Sequence, residues 1–90
     1  MRFEWDPEKS AANLNKHGVA FQEAATVFGD AFAITFPDPD HSSDEERHLT
    51  FGLSLLNRLI VVSHTERGDL TRIISARLMT RKERVIYEEG

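Results

Sequence analysis

Apolar and polar residues alternate with a period of two over several short stretches of this chain. The clearest alternation covers residues 48–55, where every second residue is leucine or phenylalanine, and it predicts a half-buried strand. A shorter alternation predicts a strand over residues 32–36. Apolar, β-branched stretches predict two more strands over 59–62 and 72–78. A short first strand is expected over residues 2–5.

Helical spacing and capping residues predict three helices. Asp6 and Pro7 provide an N-cap and a proline at the first helical position, and Gly18 is suited to end that helix after His17. The apolar residues of 21–28 follow the i, i+3, i+4, i+7 spacing of a second short helix. Thr80 and Glu83 form a capping-box pattern that predicts a last helix up to about residue 88.

The predicted order of elements is β-α-α-β-β-β-β-α. A loop is expected over residues 37–43, and a hairpin turn over residues 66–69. This order predicts an α+β fold, in which antiparallel strands form a meander with the helices packed on one face. With 90 residues, the chain suits a single domain over residues 1–90.

The composition narrows the classes of protein that need consideration. The chain has no cysteine, which excludes a disulfide framework and a thiolate metal site. Its first residues are charged rather than apolar, and no apolar run approaches the roughly 20 residues that span a membrane. We therefore expect a cytoplasmic protein with no membrane partner.

The net charge of −4 conceals a strong asymmetry along the chain. Residues 1–56 hold four basic and ten acidic side chains, whereas residues 57–84 hold seven basic and three acidic ones. Such asymmetry is typical of a local anion-binding surface on an acidic protein, and arginine binds phosphate through a planar, bidentate fork. An ordinary solvated, arginine-rich face is the alternative interpretation.

Basic side chains from three predicted elements are expected to converge. Strict alternation along residues 71–77 places Arg72 and Arg77 on opposite faces of their strand, at its two ends. Arg67 lies on the adjoining turn. The last helix carries three residues at i, i+3, i+6 spacing, namely Arg81, Arg84 and Tyr87. This set suits single-stranded RNA, although ion pairs along an exposed helix explain the helical arginines equally well.

The four histidines do not form a metal-binding pattern. His41 and His48 flank the acidic run of residues 44–46, but the spacing is not compact and no HExxH motif occurs, so no metal or other cofactor is expected. Glu46 is expected to pair with the arginines. Lys16 and His17 lie at a helix terminus, where positive charge favours the helix dipole and where RNA contact is the alternative role.

Three stretches of the chain resemble the BrnT family. The first runs from Phe3 to Pro7 and continues through Lys9, Asn13, 16–19, Phe21, Glu23 and Ala24. The second consists of Asp38 with Glu46 and Arg47. The third covers residues 64–69 and 72–77 and continues through Thr80, Arg81, Glu83, Arg84 and Tyr87. The resemblance extends over almost the whole chain. The turn over residues 55–58 departs from it, because it lacks the expected glycine.

The resemblance implies a compact, RelE-like fold and a ribonuclease toxin that stops translation. It also implies a BrnA-like antitoxin with a ribbon-helix-helix domain. This antitoxin would neutralise the toxin, and the complex would bind operator DNA only through the antitoxin. The catalytic candidates are Arg67, Arg72 and Arg77, which would stabilise the phosphate, and Tyr87, which would orient a hydroxyl or stack on a base. Lys16, His17, Arg81 and Arg84 are the RNA-binding candidates. The alternative is a non-enzymatic interaction or corepressor subunit whose basic face binds an acidic partner.

Overall fold

The computed structural model describes residues 1–42 and 45–90. Ser43 and Asp44, which end the predicted loop and begin the predicted acidic run, lie outside the described residues. The elements are β1 (Arg2–Glu4), α1 (Pro7–His17), α2 (Phe21–Thr26), β2 (Ile34–Pro37), β3 (His48–Leu53), β4 (Leu59–Arg67), β5 (Leu70–Leu78) and α3 (Arg81–Glu89). Two 3₁₀ turns follow α2 and β2, at Val27–Gly29 and Pro39–His41. The α+β class and the predicted order of strands and helices are confirmed.

The five strands form one sheet in the order β1-β5-β4-β3-β2. Strands β2 to β5 form the expected antiparallel meander. Strand β1 differs from the expectation, because it pairs with β5 in parallel, with Phe3 opposite Thr71. The chain leaves β1 through two helices and re-enters the sheet at its far edge, so the two ends of the meander lie far apart and β1 extends only the β5 side.

The strand register divides the side chains between two faces of the sheet. Helices α1 and α2 pack on one of them, which we call the covered face. Its core contains Val19, Phe21, Ala24, Val27, Ile60, Val62, Ile73 and Ala76, each at most 2% exposed. The opposite side, which we call the open face, carries a smaller apolar cluster built on Phe51, Val61 and Met79.

The third helix lies on the open face, so the expectation that all helices share one face is wrong. Tyr87 of α3 packs against the apolar cluster of Phe51 and Val61, on the side opposite to α1 and α2. The apolar alternation in β3 explains this arrangement, because Phe51 points to the open face while its polar neighbour Thr50 is 1% exposed on the covered face. The alternation of apolar residues therefore predicted strand β3 correctly, but its apolar side chains point to the face with the smaller core.

Two backbone features allow β3 and its turn to form. A Cβ atom at Gly52 would lie 2.6 Å from Val27 Cγ1, so only glycine permits this close approach of β3 to the turn after α2. Between β3 and β4, Asn57 adopts a φ of 60° and so supplies the left-handed conformation for which glycine was expected.

Within the described residues, no helix has the length and apolar character needed to cross a membrane.

Candidate functional site

A β-bulge in β5 decides which side chains reach the open face. Ser63 pairs with Ser75, but the next residue of β4, His64, pairs with Ile73, so Ile74 is left without a partner in the ladder. The extra residue reverses the alternation, and Arg72 therefore shares the open face with Ser75 and Arg77. The expectation that Arg72 and Arg77 lie on opposite faces is wrong for this reason.

The carboxylate of Glu45 is bound by Arg67. Arg67 donates to both of its oxygens, from Nε to Oε2 at 3.0 Å and from Nη2 to Oε1 at 2.9 Å. The pKa of Glu45 is lowered mainly by the hydrogen bonds from Arg67. The positive charges of Arg67, Arg72 and Arg47 lower it further. The ion pair expected for Glu46 is thus formed by Glu45, while the backbone oxygen of Glu46 accepts a hydrogen bond from Thr65.

Arg77 lies about four strand positions from Arg72, roughly 13 Å along the sheet at ~3.3 Å per residue. Its guanidinium donates to both carboxylate oxygens of Glu83 on α3, at 2.6 and 2.8 Å. This pair is the main cause that lowers the pKa of Glu83 to about 2. We call the four arginines of the open face the arginine strip, namely Arg47, Arg67, Arg72 and Arg77.

A cleft of about 240 Å³ opens beside the arginine strip. Its lining consists of Asp38, His41, Arg47, Leu49, Ser63, Ser75 and Arg77. His41 Nδ1 lies 3.0 Å from Asp38 Oδ2 and 3.2 Å from Oδ1. Two cations, two hydroxyl groups and a histidine–carboxylate pair therefore meet in one place, and these are the groups required to bind an oxyanion and to transfer a proton near it.

The hydroxyl of Tyr87 is bound by Asp30. Its hydroxyl donates a 2.6 Å hydrogen bond to Asp30 Oδ2, and Asp30 also accepts from the backbone nitrogens of Phe32 and Leu53. The hydrogen bond to Asp30 is the main cause that raises the pKa of Tyr87 to about 12. A phenol with this pKa is a poor proton acceptor near neutral pH, and its contacts favour a role in anchoring α3.

The four predicted RNA-binding residues are not brought together. Lys16 and His17 are exposed at the end of α1, the helix that packs on the covered face, and so lie away from the strip. Arg81 and Arg84 are exposed on α3. The structure thus brings together Arg67, Arg72 and Arg77 but leaves Lys16 and His17 on the other side of the sheet.

Of the residues that line the cleft, the sequence candidates include only Arg77. Arg47 precedes β3, and its position directly after an acidic run is a usable signal. The sequence offers His41 only as a possible metal ligand. Asp38 lies three residues before His41, a spacing at which side chains meet within one helical turn, and the 3₁₀ turn Pro39–His41 provides that geometry.

Comparison with known proteins places the chain in a family. The family model described as the ribonuclease toxin BrnT of type II toxin–antitoxin systems matches residues 5–83. Among solved structures, the 1.1 Å crystal structure of the Brucella abortus ribonuclease toxin BrnT is similar, with a TM-score of 0.69 and 24% sequence identity. That match covers 90% of this chain and 99% of the other, and it supports the fold. No curated protein matches the chain. The chain belongs to the BrnT family of ribonuclease toxins of type II toxin–antitoxin systems.

Proposed function

We propose that this chain is a metal-independent endoribonuclease whose active site is the arginine strip with its cleft. One observation carries the proposal, namely the placement of four arginines along the open face. The carboxylate of Glu45 accepts two hydrogen bonds from Arg67, which supports oxyanion binding at this surface. In the proposed complex an RNA phosphate takes a place of this kind, because a guanidinium binds phosphate with the same bidentate geometry as it binds a carboxylate.

The proposed reaction is an internal transesterification of RNA. The 2′-oxygen attacks the neighbouring phosphorus, the bond from phosphorus to the 5′-oxygen breaks, and negative charge accumulates on the phosphoryl oxygens in the transition state. Arg72 and Arg77, with Arg47 beside them, stabilise that charge through fixed N–H donors on a rigid strand. Arg67 contributes when a phosphate displaces its partner Glu45. The requirement for a 2′-hydroxyl selects RNA over DNA.

Charge stabilisation in the proposed mechanism relies on guanidinium groups. The positive charge that a metal ion would otherwise supply comes from the arginine strip. Tyr87 contributes indirectly, since its hydrogen bond to Asp30 fixes α3, and α3 carries the Glu83 that orients Arg77.

The family assignment also supports a protein partner. A type II module contains a protein antitoxin, and we propose that a BrnA-like ribbon-helix-helix protein neutralises this toxin and supplies all contacts to operator DNA. The acidic overall charge of the chain, −4, agrees with a toxin that does not bind duplex DNA by itself. In this proposal residues 1–90 act as one toxin domain in the cytoplasm, where RNA cleavage stops translation.

The decisive test compares Arg72→Ala and Arg77→Ala with Lys82→Ala, which removes an exposed cation of α3 outside the strip. Each protein is assayed for growth arrest on induction and for cleavage of purified RNA in the presence of EDTA. Each strip variant should lose about 10²–10³-fold in rate, the usual cost of removing one preorganised donor, while Lys82→Ala retains full activity. Equal activity of all three, or loss of wild-type cleavage in EDTA, would contradict the proposal.

A non-enzymatic role is the second candidate, because the strip binds carboxylates in the structure itself. Arg67 and Arg77 each hold a glutamate through two hydrogen bonds. An acidic peptide of a partner protein is therefore a chemically suitable ligand. This candidate gains support if the wild-type protein cleaves no RNA and the Arg72→Ala and Arg77→Ala variants lose binding to the antitoxin.

A further inference from the structure

Asp38 and His41 form a histidine–carboxylate pair that lines the same cleft as Arg47 and Arg77. The side chain of His41 is 68% exposed, whereas that of Asp38 is 13% exposed. The carboxylate is thus the fixed partner and the imidazole is the one that reaches solvent. We infer that His41 is the general base of the RNA cleavage proposed above, and that Asp38 positions it; the inference rests on that proposed function.

Backbone contacts fix Asp38 in place. Its N–H donates to the carbonyl oxygen of Arg47 at 2.8 Å, and its own carbonyl oxygen accepts from Ser42 Oγ at 2.9 Å and from the N–H of His41 at 3.3 Å. The first of these bonds ties the 3₁₀ turn Pro39–His41 to the segment that enters β3. The carboxylate is therefore held relative to the sheet that carries the arginine strip.

The contact with Asp38 also decides which ring nitrogen of His41 is available. Both short distances involve Nδ1, and an ionised carboxylate only accepts hydrogen bonds, so the proton of the neutral ring resides on Nδ1. The lone pair is then on Nε2, which faces away from Asp38. A positioned base of this kind is worth about 10²–10⁴-fold in rate.

The proposed step conserves atoms and charge. Nε2 of His41 accepts the proton of the 2′-hydroxyl while the 2′-oxygen forms its bond to phosphorus. The bond from phosphorus to the 5′-oxygen breaks, and that oxygen takes a proton from water, which reaches the open cleft. The products are a 2′,3′-cyclic phosphate, a 5′-hydroxyl, an imidazolium and the hydroxide ion left by the water. Asp38 stabilises the imidazolium until its proton passes to solvent, where it neutralises that hydroxide.

Other groups near the cleft are poorly suited to accept this proton. Arg47 and Arg77 are cations, and Ser63 and Ser75 are neutral hydroxyls. Glu83 holds Arg77 and has a pKa of about 2, which makes it a weak base. His64 is 4% exposed on the covered face, and both of its ring nitrogens already have hydrogen-bond partners. Of the residues that the structure describes in the cleft, His41 alone combines a free lone pair with access to substrate.

The experiment measures the rate of RNA cleavage against pH for the wild type, His41→Gln, Asp38→Asn and the matched control Asp40→Asn. Asp40 is exposed in the same 3₁₀ turn and does not line the cleft. The wild-type rate should fall as the pH decreases, because a protonated imidazole cannot accept the proton of the 2′-hydroxyl. His41→Gln should lose about 10²–10³-fold at neutral pH and should lack this fall. Asp38→Asn should show a smaller loss, and Asp40→Asn none.

A second variant separates catalysis from structure. His41→Ala removes the ring from an exposed position, and added imidazole should restore a measurable part of its activity because it replaces the missing base. An unchanged pH profile in His41→Gln, together with no rescue of His41→Ala by imidazole, overturns the assignment while the Arg72→Ala and Arg77→Ala results still decide the proposed function. If the wild type cleaves no RNA, the proposed function fails and this assignment fails with it.

Discussion

The two faces of the sheet are stabilised by different kinds of interaction. The covered face buries aliphatic and aromatic side chains beneath two helices, and its buried carboxylate, Glu23, is ion-paired with Arg58 and accepts a hydrogen bond from Ser54. The open face is half-exposed, and its arginines are held by carboxylates from other segments of the chain, among them Glu45 and Glu83. Apolar burial supplies most of the stability of a small domain, so charged groups on the open face can be used for binding at little cost to folding.

The same contrast separates two histidine–carboxylate pairs. On the covered face His64 donates or accepts through both ring nitrogens, to Glu66 at 2.8 Å and to Thr50 at 2.7 Å, and burial is the main cause that lowers its pKa. On the open face the imidazole of His41 lies 3.0 Å from the carboxylate of Asp38, and its side chain is 68% exposed. Similar chemical groups therefore serve structure on one side and are available to a substrate on the other.

The largest expected effect is on the covered face. Phe21 is 0% exposed in the main core, so Phe21→Ala should reduce the free energy of unfolding by about 3–5 kcal/mol through lost burial and a residual cavity. Phe32→Ala is the matched control, because Phe32 is 77% exposed and its truncation should change stability by less than about 0.5 kcal/mol. Chemical denaturation checks both. A small loss in Phe21→Ala would show that the two faces contribute alike.

The fold was largely predictable because its signals are local. Capping residues such as Asp6 and Thr80 make the hydrogen bonds that define their helix starts, and alternation identified the strands. The assignment of residues to faces was less predictable. The bulge at Ile74 leaves no local mark in an otherwise regular β-branched strand, so strict alternation separated Arg72 from Arg77. The parallel pairing of β1 is likewise a long-range property of the chain.

The candidate site was predictable only in part. The excess of arginine after residue 57 is a property of composition, and it pointed to Arg67, Arg72 and Arg77, which the structure brings to one face. Arg47 and Asp38 come from the acidic half of the chain, and only tertiary folding brings them to the cleft. Tyr87 was grouped with the arginines by helical spacing, but Asp30, 57 residues earlier, holds its hydroxyl, and no local pattern predicts such a contact.

An intermediate effect is expected where α1 contacts the edge of β5. The side-chain amide of Asn13 donates to the carbonyl oxygens of Ala76 and Val19 and accepts from the N–H of Ala76. Asn13→Ala leaves these buried backbone groups unpaired and should cost about 1–3 kcal/mol in the free energy of unfolding. Asn15→Ala, an exposed asparagine of the same helix, should have almost no effect. Hydrogen exchange of the Ala76 amide should accelerate only in the first variant, and equal exchange in both would contradict this account.

The smallest expected effect concerns the ion pair that fastens α3 to the open face, and it depends on pH. Arg77 lowers the pKa of Glu83 from about 4.5 to about 2, so the carboxylate contributes stability above pH 4.5 that is lost as the pH falls towards 2. The shift corresponds to at most about 3 kcal/mol, and screening by solvent at the 41%-exposed Arg77 reduces the expected contribution to about 1 kcal/mol. Glu83→Gln should therefore be less stable than the wild type at pH 7 by about this amount, and the difference should shrink as the pH falls from 4.5 through 2.

The glutamine variant isolates the ion pair because its side chain can still accept the hydrogen bond from the N–H of Thr80 that Glu83 accepts in the capping box. Glu88→Gln, an exposed carboxylate of the same helix, serves as the control and should follow the wild-type stability curve at every pH. Denaturation midpoints measured from pH 2 to pH 7 decide the matter. A difference between Glu83→Gln and the wild type that does not shrink between pH 4.5 and pH 2 would mean that packing, rather than charge, holds α3 on the open face.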